Sequence, residues 1–455
     1  CALACVLAWL FGKRRPRRWR FLLCFAVLAA GFVYSMSAPG NTVRAGMIGY
    51  TCSPVKAVAR SLYEGVILMA GYVRFPLLGL TALVSPLLWR AAKESPYRFR
   101  HPFWMILLSA ALFCTQLTPP LYSIASIGDG RIQDTYWLCF VVLWLFWVYV
   151  LLGFAVRKWP DAKPERLSRA LVIGGLCLSL AGGLGCRYPG DTLYGVQNMR
   201  GNSAWLSLIS GEAARYDREM IMLGVDGAFV KGEDGAGAPA ERRQPAGGHA
   251  FAPQRRAQNF HGGRAEAGRG LRRAAQPVPL LRQGSHSAGG RGGTAVKAFW
   301  SAPISKKLLA AVCMALLVVS LIPPLALSFF NHASYDDLGY SIRTHERWRE
   351  TGSFWRTVEA AAENTASIRY TWQGTFFSCF LAALQPALFG ESWYWITTWV
   401  LMGTFLLALG ALTRQLVRRV MGAGTAEWLI LFSLSALVMM QLTPSISEAW
   451  FWWNG

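Results

Sequence analysis

Long apolar runs separated by short polar or basic segments are the main pattern along this chain of 455 residues. A helix that crosses a bilayer needs roughly 20 mostly apolar residues. Counting also the shorter runs, the pattern predicts an all-α fold, a polytopic transmembrane helical bundle with about nine spans. The predicted spans are 1–12, 21–36, 73–89, 103–118, 137–156, 170–185, 308–330, 393–412 and 428–442.

The pattern breaks in the middle of the chain. Residues 232–300 are rich in Gly, Ala, Pro and Arg, and they show almost no aliphatic periodicity. Such a segment cannot bury a packed core, so we expect a disordered basic linker. The alternatives are a basic arm that binds anionic ligands and a stretch that is not natural coding sequence. The chain thus divides into a membrane half at 1–231, a linker at 232–300 and a second membrane half at 301–455.

Composition supports the membrane interpretation. Hydrophobic residues make up 53% of the chain and charged residues 15%, and the mean hydropathy is +0.30. These values are too apolar for a soluble protein of this size, so we expect a multi-pass protein of the cell membrane, in contact with membrane lipid. The opening apolar run without Met and the abrupt end predict that the natural sequence extends beyond both ends.

Charge predicts how the spans are oriented. The formal net charge is +22, but much of it lies in short Arg and Lys clusters beside apolar runs, as cytoplasmic loops require. We therefore interpret the basic clusters as signals of membrane orientation, and we do not expect a nucleic-acid partner. The positive-inside rule gives the two halves of the chain conflicting orientations. By this rule the first half ends outside the cell membrane, whereas Lys306 places the start of the second half inside. Either 170–185 does not span, or the chain joins pieces of separate origin.

Two adjacent acids follow the first span of the second half. Asp336 and Asp337 stand a few residues after 308–330, near Tyr340 and Arg343. A carboxylate at a membrane surface can accept the proton of an attacking hydroxyl, and a second carboxylate can tune its pKa or bind a metal. A solvated loop is the alternative interpretation.

Several motifs together resemble known proteins. The segments SYDDLGYS at 334–341 and EAWFWWNG at 448–455 are similar to a group of bacterial polytopic membrane proteins of unknown function, often labelled glucosyltransferase-like. Segments SAPGNTVR at 37–44 and YDREM at 216–220 resemble the same group, but there they would follow the pieces found here at 301–455. The layout of an outward span, an acidic pair and a long loop also resembles the C-type membrane glycosyltransferases.

The resemblance implies a function and a set of site residues. It implies transfer of a sugar from a polyprenyl-phosphate donor on the extracytoplasmic face, with Asp336 or Asp337 as the general base or as ligand of a divalent metal. The remaining candidates are substrate-binding residues, with arginines for a lipid phosphate and an aromatic ring for a sugar: Tyr340, Arg343, Arg369, Arg44, Asn41 and Trp450. The inverted order of segments also allows an inactive fragment or fusion.

The competing function is a transporter or flippase for a lipid-linked or small polar substrate, without catalysis. A transporter predicts charged side chains at mid-depth in the bundle. Few such positions occur apart from Arg74. The sequence therefore favours the transferase over the transporter, and it names neither the sugar nor the acceptor.

Overall fold

The computed structural model describes residues 18–48, 52–160, 173–177, 204–222, 305–334 and 336–453, apart from residues 96, 129 and 176. Within these ranges the fold is helical and has no strand. The α-helices are α1 Arg18–Met36, α2 Gly40–Ile48, α3 Pro54–Tyr72, α4 Phe75–Glu94, α5 Pro102–Cys114, α6 Thr118–Ile124, α7 Arg131–Lys158, α8 Ala204–Ile209, α9 Glu212–Met222, α10 Lys306–Leu327, α11 Asp336–Thr351, α12 Phe354–Thr371, α13 Phe376–Ala382, α14 Ile396–Gln415, α15 Thr425–Gln441 and α16 Ile446–Trp450. Short 3-10 turns occupy Thr115–Leu117, Ser328–Phe330, Pro386–Phe389 and Glu391–Trp393, and a π turn occupies Leu416–Val420.

Local sequence chemistry explains several helix starts. The Ser53 and Ser305 hydroxyls accept hydrogen bonds from the backbone N–H groups of Lys56 and Leu308, at 3.3 and 3.5 Å, and so cap α3 and α10. Helices α3, α4 and α5 each carry Pro in the first turn, where the missing N–H costs nothing.

The helical class is confirmed, whereas the predicted number of spans is not. Among the described residues, five helical segments are long and apolar enough to cross a membrane, namely Phe75–Glu94, Pro102–Ile124, Arg131–Lys158, Lys306–Phe330 and Glu391–Arg419. The predicted span at 21–36 is one arm of a helix pair bent by 54°, and this pair would be the sixth. The predicted span at 428–442 is an apolar helix of only 17 residues, α15.

The remaining predicted segments lie wholly or mostly outside the residues that the structure describes. The predicted span at 1–12 and the linker at 232–300 lie wholly outside the described residues, and only residues 173–175 and 177 of the span at 170–185 are described. The conflict between the two halves over a missing crossing therefore stays a prediction.

The two halves of the chain share one hydrophobic core. Helix α4 packs against α7 in the first half and against α15 in the second. Leu80 and Val84 of α4, Phe140 of α7 and Leu431 of α15 are all buried in the same cluster. The indole Nε1 of Trp137 donates a buried hydrogen bond of 3.0 Å to the carbonyl oxygen of Met439. The halves therefore pack as neighbours within a single bundle.

Basic residues collect at one end of the bundle, which we call the basic end. There Arg157 donates hydrogen bonds to the carbonyls of Ser95 and Tyr97, at 2.6 and 3.2 Å, and Lys306 forms an ion pair with Glu427. Gly422 lies beside the carboxylate of Glu94, so the basic ends of both halves meet. This common end is the arrangement that the positive-inside rule requires.

The opposite end, called the acidic end here, carries Asp336 and the polar loops. The side-chain amide of Asn331 donates to the carbonyl of Phe451 at 2.6 Å, and the backbone N–H of Ser445 donates to Asp134 at 2.7 Å. These contacts tie the start of α7, the segment after α10 and the last described residues together at the end of the bundle that carries the candidate site.

Candidate functional site

The two adjacent acids begin helix α11 but occupy different environments. Both lie in its first turn, where the partial positive charge of a helix N-terminus favours carboxylates. Asp336 is half-buried, whereas the side chain of Asp337 is fully buried. Asp337 Oδ2 accepts hydrogen bonds from the hydroxyl of Tyr394 and, at 3.4 Å, from the backbone N–H of Ser334. Asp336 is therefore the acid of the pair that a substrate can reach, and Asp337 holds the segment in place.

Tyr340 lies one helical turn after Asp336, and charged groups from three other parts of the chain act on its phenol. Burial raises the pKa of its phenol, the charges of Cys379 and Asp336 raise it further, and the guanidinium groups of Arg44 and Arg131 oppose them. These groups are therefore near enough to act on the Tyr340 phenol. The structure thus brings the predicted residues Asp336, Tyr340 and Arg44 together, although Arg44 belongs to the first half of the chain.

Arg44 is positioned by two neighbours that follow α12. Its Nη1 donates to Oε1 of Gln373, and its guanidinium lies 5.4 Å from the ring centre of Trp372, a cation–π contact. The Gln373 Nε2 in turn donates to the Tyr340 hydroxyl at 3.0 Å. A chain of hydrogen bonds therefore links Arg44 through Gln373 to Tyr340.

Asn41 shapes the bend between α1 and α2. Its Nδ2 donates to the carbonyl of Ser35 at 2.9 Å, and its Oδ1 accepts from the backbone N–H of Gly374 at 3.0 Å. Glycine is required on both sides of this contact: a Cβ on Gly374 would lie 2.0 Å from the Ser35 carbonyl oxygen, and one on Gly40 would lie 2.7 Å from the Trp372 nitrogen. Asn41 therefore joins the bend to the segment that carries Gln373.

Arg369 lies on the far side of the same bend. Its guanidinium stacks on the Tyr34 ring at 3.7 Å from the ring centre, and it donates to the carbonyl of Tyr34 and to the hydroxyl of Ser37, the latter at 3.1 Å. The side chain is partly exposed. Arg369 thus anchors α12 to the end of α1 and leaves part of its charge accessible.

Two predicted residues lie apart from this group. The side chain of Arg343 is exposed on α11. Trp450 is only 3% exposed and packs edge-on against Phe405 in a cluster with Met402 and Met440. Trp450 therefore contributes to the core in this structure. Its neighbour Trp452 lies nearer the site, with its ring centre 5.4 Å from the guanidinium of Arg131.

The structure adds residues that the sequence analysis did not single out. Gln373 donates a hydrogen bond to Tyr340, and Tyr394 donates one to Asp337. The charge of Arg131 acts on Tyr340. Arg131 also lines an open cleft of about 500 Å³ with Gln116, Thr135 and Tyr136. Arg131 opens a span after a polar loop, a position at which its role could have been suspected from the sequence. No local signal marks Gln373 or Tyr394, because their roles depend on distant partners.

A metal ligand set is absent from the described part of the chain. There, no group of three or more His, Cys, Asp and Glu side chains is arranged to hold an ion. The site as described is thus one half-buried carboxylate, one phenol and several guanidinium groups.

Comparison of the chain with models of known protein families, with curated protein sequences and with solved structures finds no match. The resemblance to glucosyltransferase-like membrane proteins therefore stays a prediction.

Proposed function

We propose that this protein transfers a sugar from a polyprenyl-phosphate donor to an acceptor hydroxyl at the outer face of a bacterial inner membrane. The observation that carries the proposal is the convergence of three residues at the acidic end of the bundle: Tyr340 lies one helical turn after Asp336, and Gln373 links it to Arg44 by hydrogen bonds. Such a reaction needs a base for the attacking hydroxyl and a cation for the departing phosphate, and Asp336 and Arg44 are two such groups near one phenol.

Asp336 is the proposed general base. It is half-buried and begins α11, so its carboxylate can meet an acceptor hydroxyl at the edge of the loop. In the reaction the acceptor oxygen forms a bond to the anomeric carbon and passes its proton to Asp336, while the bond between that carbon and the phosphate oxygen breaks. Asp337 acts as a positioning residue through its bond with Tyr394.

Arg44 is the proposed partner of the phosphate. A guanidinium offers two parallel N–H donors to phosphate oxygens and keeps its charge at all working pH values. Gln373 and Trp372 hold the Arg44 side chain in place, which lowers the entropy lost when a phosphate binds. The negative charge that develops on the leaving phosphate therefore meets a fixed cation.

The location of Arg44 suits a donor that arrives through lipid. It stands on α2, directly after the bend that follows α1. Large apolar side chains cover α1, and Leu23, Phe32 and Val33 are each more than half exposed. Such a surface is favourable against acyl chains and costly in water. A polyprenyl chain can lie along α1 while its phosphate reaches Arg44 and Arg369.

The test uses the full chain in proteoliposomes, with a polyprenyl-phosphate sugar carrying a labelled sugar and a membrane extract as acceptor. We expect free polyprenyl phosphate to appear in step with label on the acceptor. Movement of the intact labelled lipid between leaflets without release of polyprenyl phosphate would contradict the proposal and favour the flippase.

A further inference from the structure

His332 lies four residues before Asp336 and bridges two carboxylates from different parts of the chain. Its Nε2 is 3.0 Å from Oδ1 of Asp217 on α9, and its Nδ1 is 3.3 Å from Oε1 of Glu391. The His332 side chain is only 9% exposed. One imidazole therefore faces an acid at each nitrogen, in a place that water hardly reaches.

These contacts suit the imidazolium form: Nε2 is hydrogen-bonded to Asp217, and Nδ1 is close enough to the Glu391 carboxylate for an ion pair, although it is not aligned for a hydrogen bond. A neutral imidazole carries one N–H and one lone pair, whereas the protonated ring can donate at both nitrogens. Burial alone would lower the pKa of His332, but the nearby carboxylates of Glu391 and Asp217 outweigh it and raise the pKa above its ordinary value. Among the described residues, the titratable groups that face the ring are these two acids and Tyr216, whose own phenol pKa is raised by burial and by Glu391.

The same contacts fix the segment that leads to the acidic pair. Glu391 also accepts a hydrogen bond of 3.1 Å from the backbone N–H of Ala333, and Asn331 is bonded to the Phe451 carbonyl. Three successive residues, 331–333, are thus each tied to another part of the chain, and His332 and Ala333 share Glu391 as a partner. Of these ties, only the one through His332 reaches α9 in the first half of the chain.

We propose that protonated His332 is a positioning residue that latches the 331–334 segment to α9 and so holds Asp336 in place for transfer. Deprotonation leaves a lone pair facing one of the two carboxylates, and the latch opens. The latch is complete below about pH 6.5, the ordinary value for histidine, and is lost as the pH rises through the raised value of the folded protein. Its effect on turnover rests on the proposed function, whereas the contact between His332 and α9 does not.

The experiment is a pH titration of the full chain in detergent, labelled with ¹³C at histidine and followed by NMR. The chain has six histidines, and His332→Gln identifies the signal of His332 by its loss. We expect the midpoint of His332 to lie above about pH 6.5, the ordinary value for histidine, and to fall by roughly one pH unit in Asp217→Asn and in Glu391→Gln. The variant His101→Gln should leave it unchanged.

Two further readouts separate the latch from the chemistry. Amide exchange of residues 331–334, corrected for its intrinsic pH dependence, should rise through the His332 midpoint in the wild type and show no step in His332→Gln. The rate of sugar transfer should fall over the same pH range as the His332 titration. The midpoint of that fall should shift in Glu391→Gln. A His332 midpoint at or below about pH 6.5, the ordinary value for histidine, or exchange without a step, would overturn the latch. Absent turnover with the expected midpoint and step would contradict only the transferase.

Discussion

Arg44 and Gln373 are hydrogen-bonded to one another although 329 residues separate them in the chain. The same Gln373 donates to Tyr340 at 3.0 Å, so one neutral side chain holds a cation of the first half beside the acidic helix of the second. The candidate site exists only because both halves fold into one bundle, and the strongest tests act on the contacts between them.

The first prediction concerns this bridge. Replacing Gln373 by Ala removes the acceptor that holds Arg44 and the donor that reaches Tyr340, so Arg44 must be ordered when the phosphate binds. We expect the KM for the polyprenyl-phosphate donor to rise about tenfold, equivalent to roughly 1.4 kcal/mol, with kcat nearly unchanged. Steady-state kinetics measures both. Ser378→Ala, which removes a hydroxyl bonded to the Thr375 carbonyl just before its own helix, is the control, and equal KM values for the two variants would refute the bridge.

The second prediction concerns the close approach at Gly374. A methyl group there would lie 2.0 Å from the Ser35 carbonyl oxygen, and the nearest atoms are the Ser35 backbone and the Ala38 Cβ, which cannot turn away. We expect Gly374→Ala to separate the bend after α1 from α12 and to cost about 1–3 kcal/mol of stability. Thermal unfolding in detergent measures this. The matched variant is Gly46→Ala, where a Cβ meets open space inside a helix, and an equally mild effect at both positions would show that the approach is not tight.

The third prediction concerns the buried acid. Replacing Tyr394 by Phe deletes a donor to a fully buried Asp337 carboxylate, so we expect a loss of about 2 kcal/mol of unfolding free energy. Combining it with Asp337→Asn should give less than the sum of the two single effects, because both act on one contact. Denaturant unfolding provides the numbers. Tyr370→Phe, on an exposed ring, should cost little, and a similar cost for both tyrosines would contradict this role for Asp337.

The sequence was sufficient for the helical class and for the cores of five spans. Apolar runs of membrane-crossing length carry their own signal, since each residue in the run contributes to burial in lipid. The count of about nine spans is not confirmed at the weak runs: the run at 21–36 is followed by a bend at Pro39-Gly40, and the run at 428–442 forms an apolar helix of only 17 residues.

The site was predictable only in part. Asp336, Tyr340, Arg44, Asn41 and Arg369 were candidates from residue type and position, and the structure gathers them at one end. The roles of Gln373 and Tyr394 depend on partners tens or hundreds of residues away, which local patterning does not encode. Trp450 and its neighbour Trp452 have the same chemistry, but only packing decides that Trp450 enters the core while Trp452 stacks on Arg131.

The most direct measurement is the rate of sugar transfer from the labelled polyprenyl-phosphate donor by Asp336→Asn compared with the wild type. Asn keeps the shape of the side chain and cannot take a proton, so the rate should fall by at least about 100-fold. Glu346→Gln, an exposed acid on the same helix, should change the rate less than twofold. Equal rates for Asp336→Asn and the wild type would contradict the account.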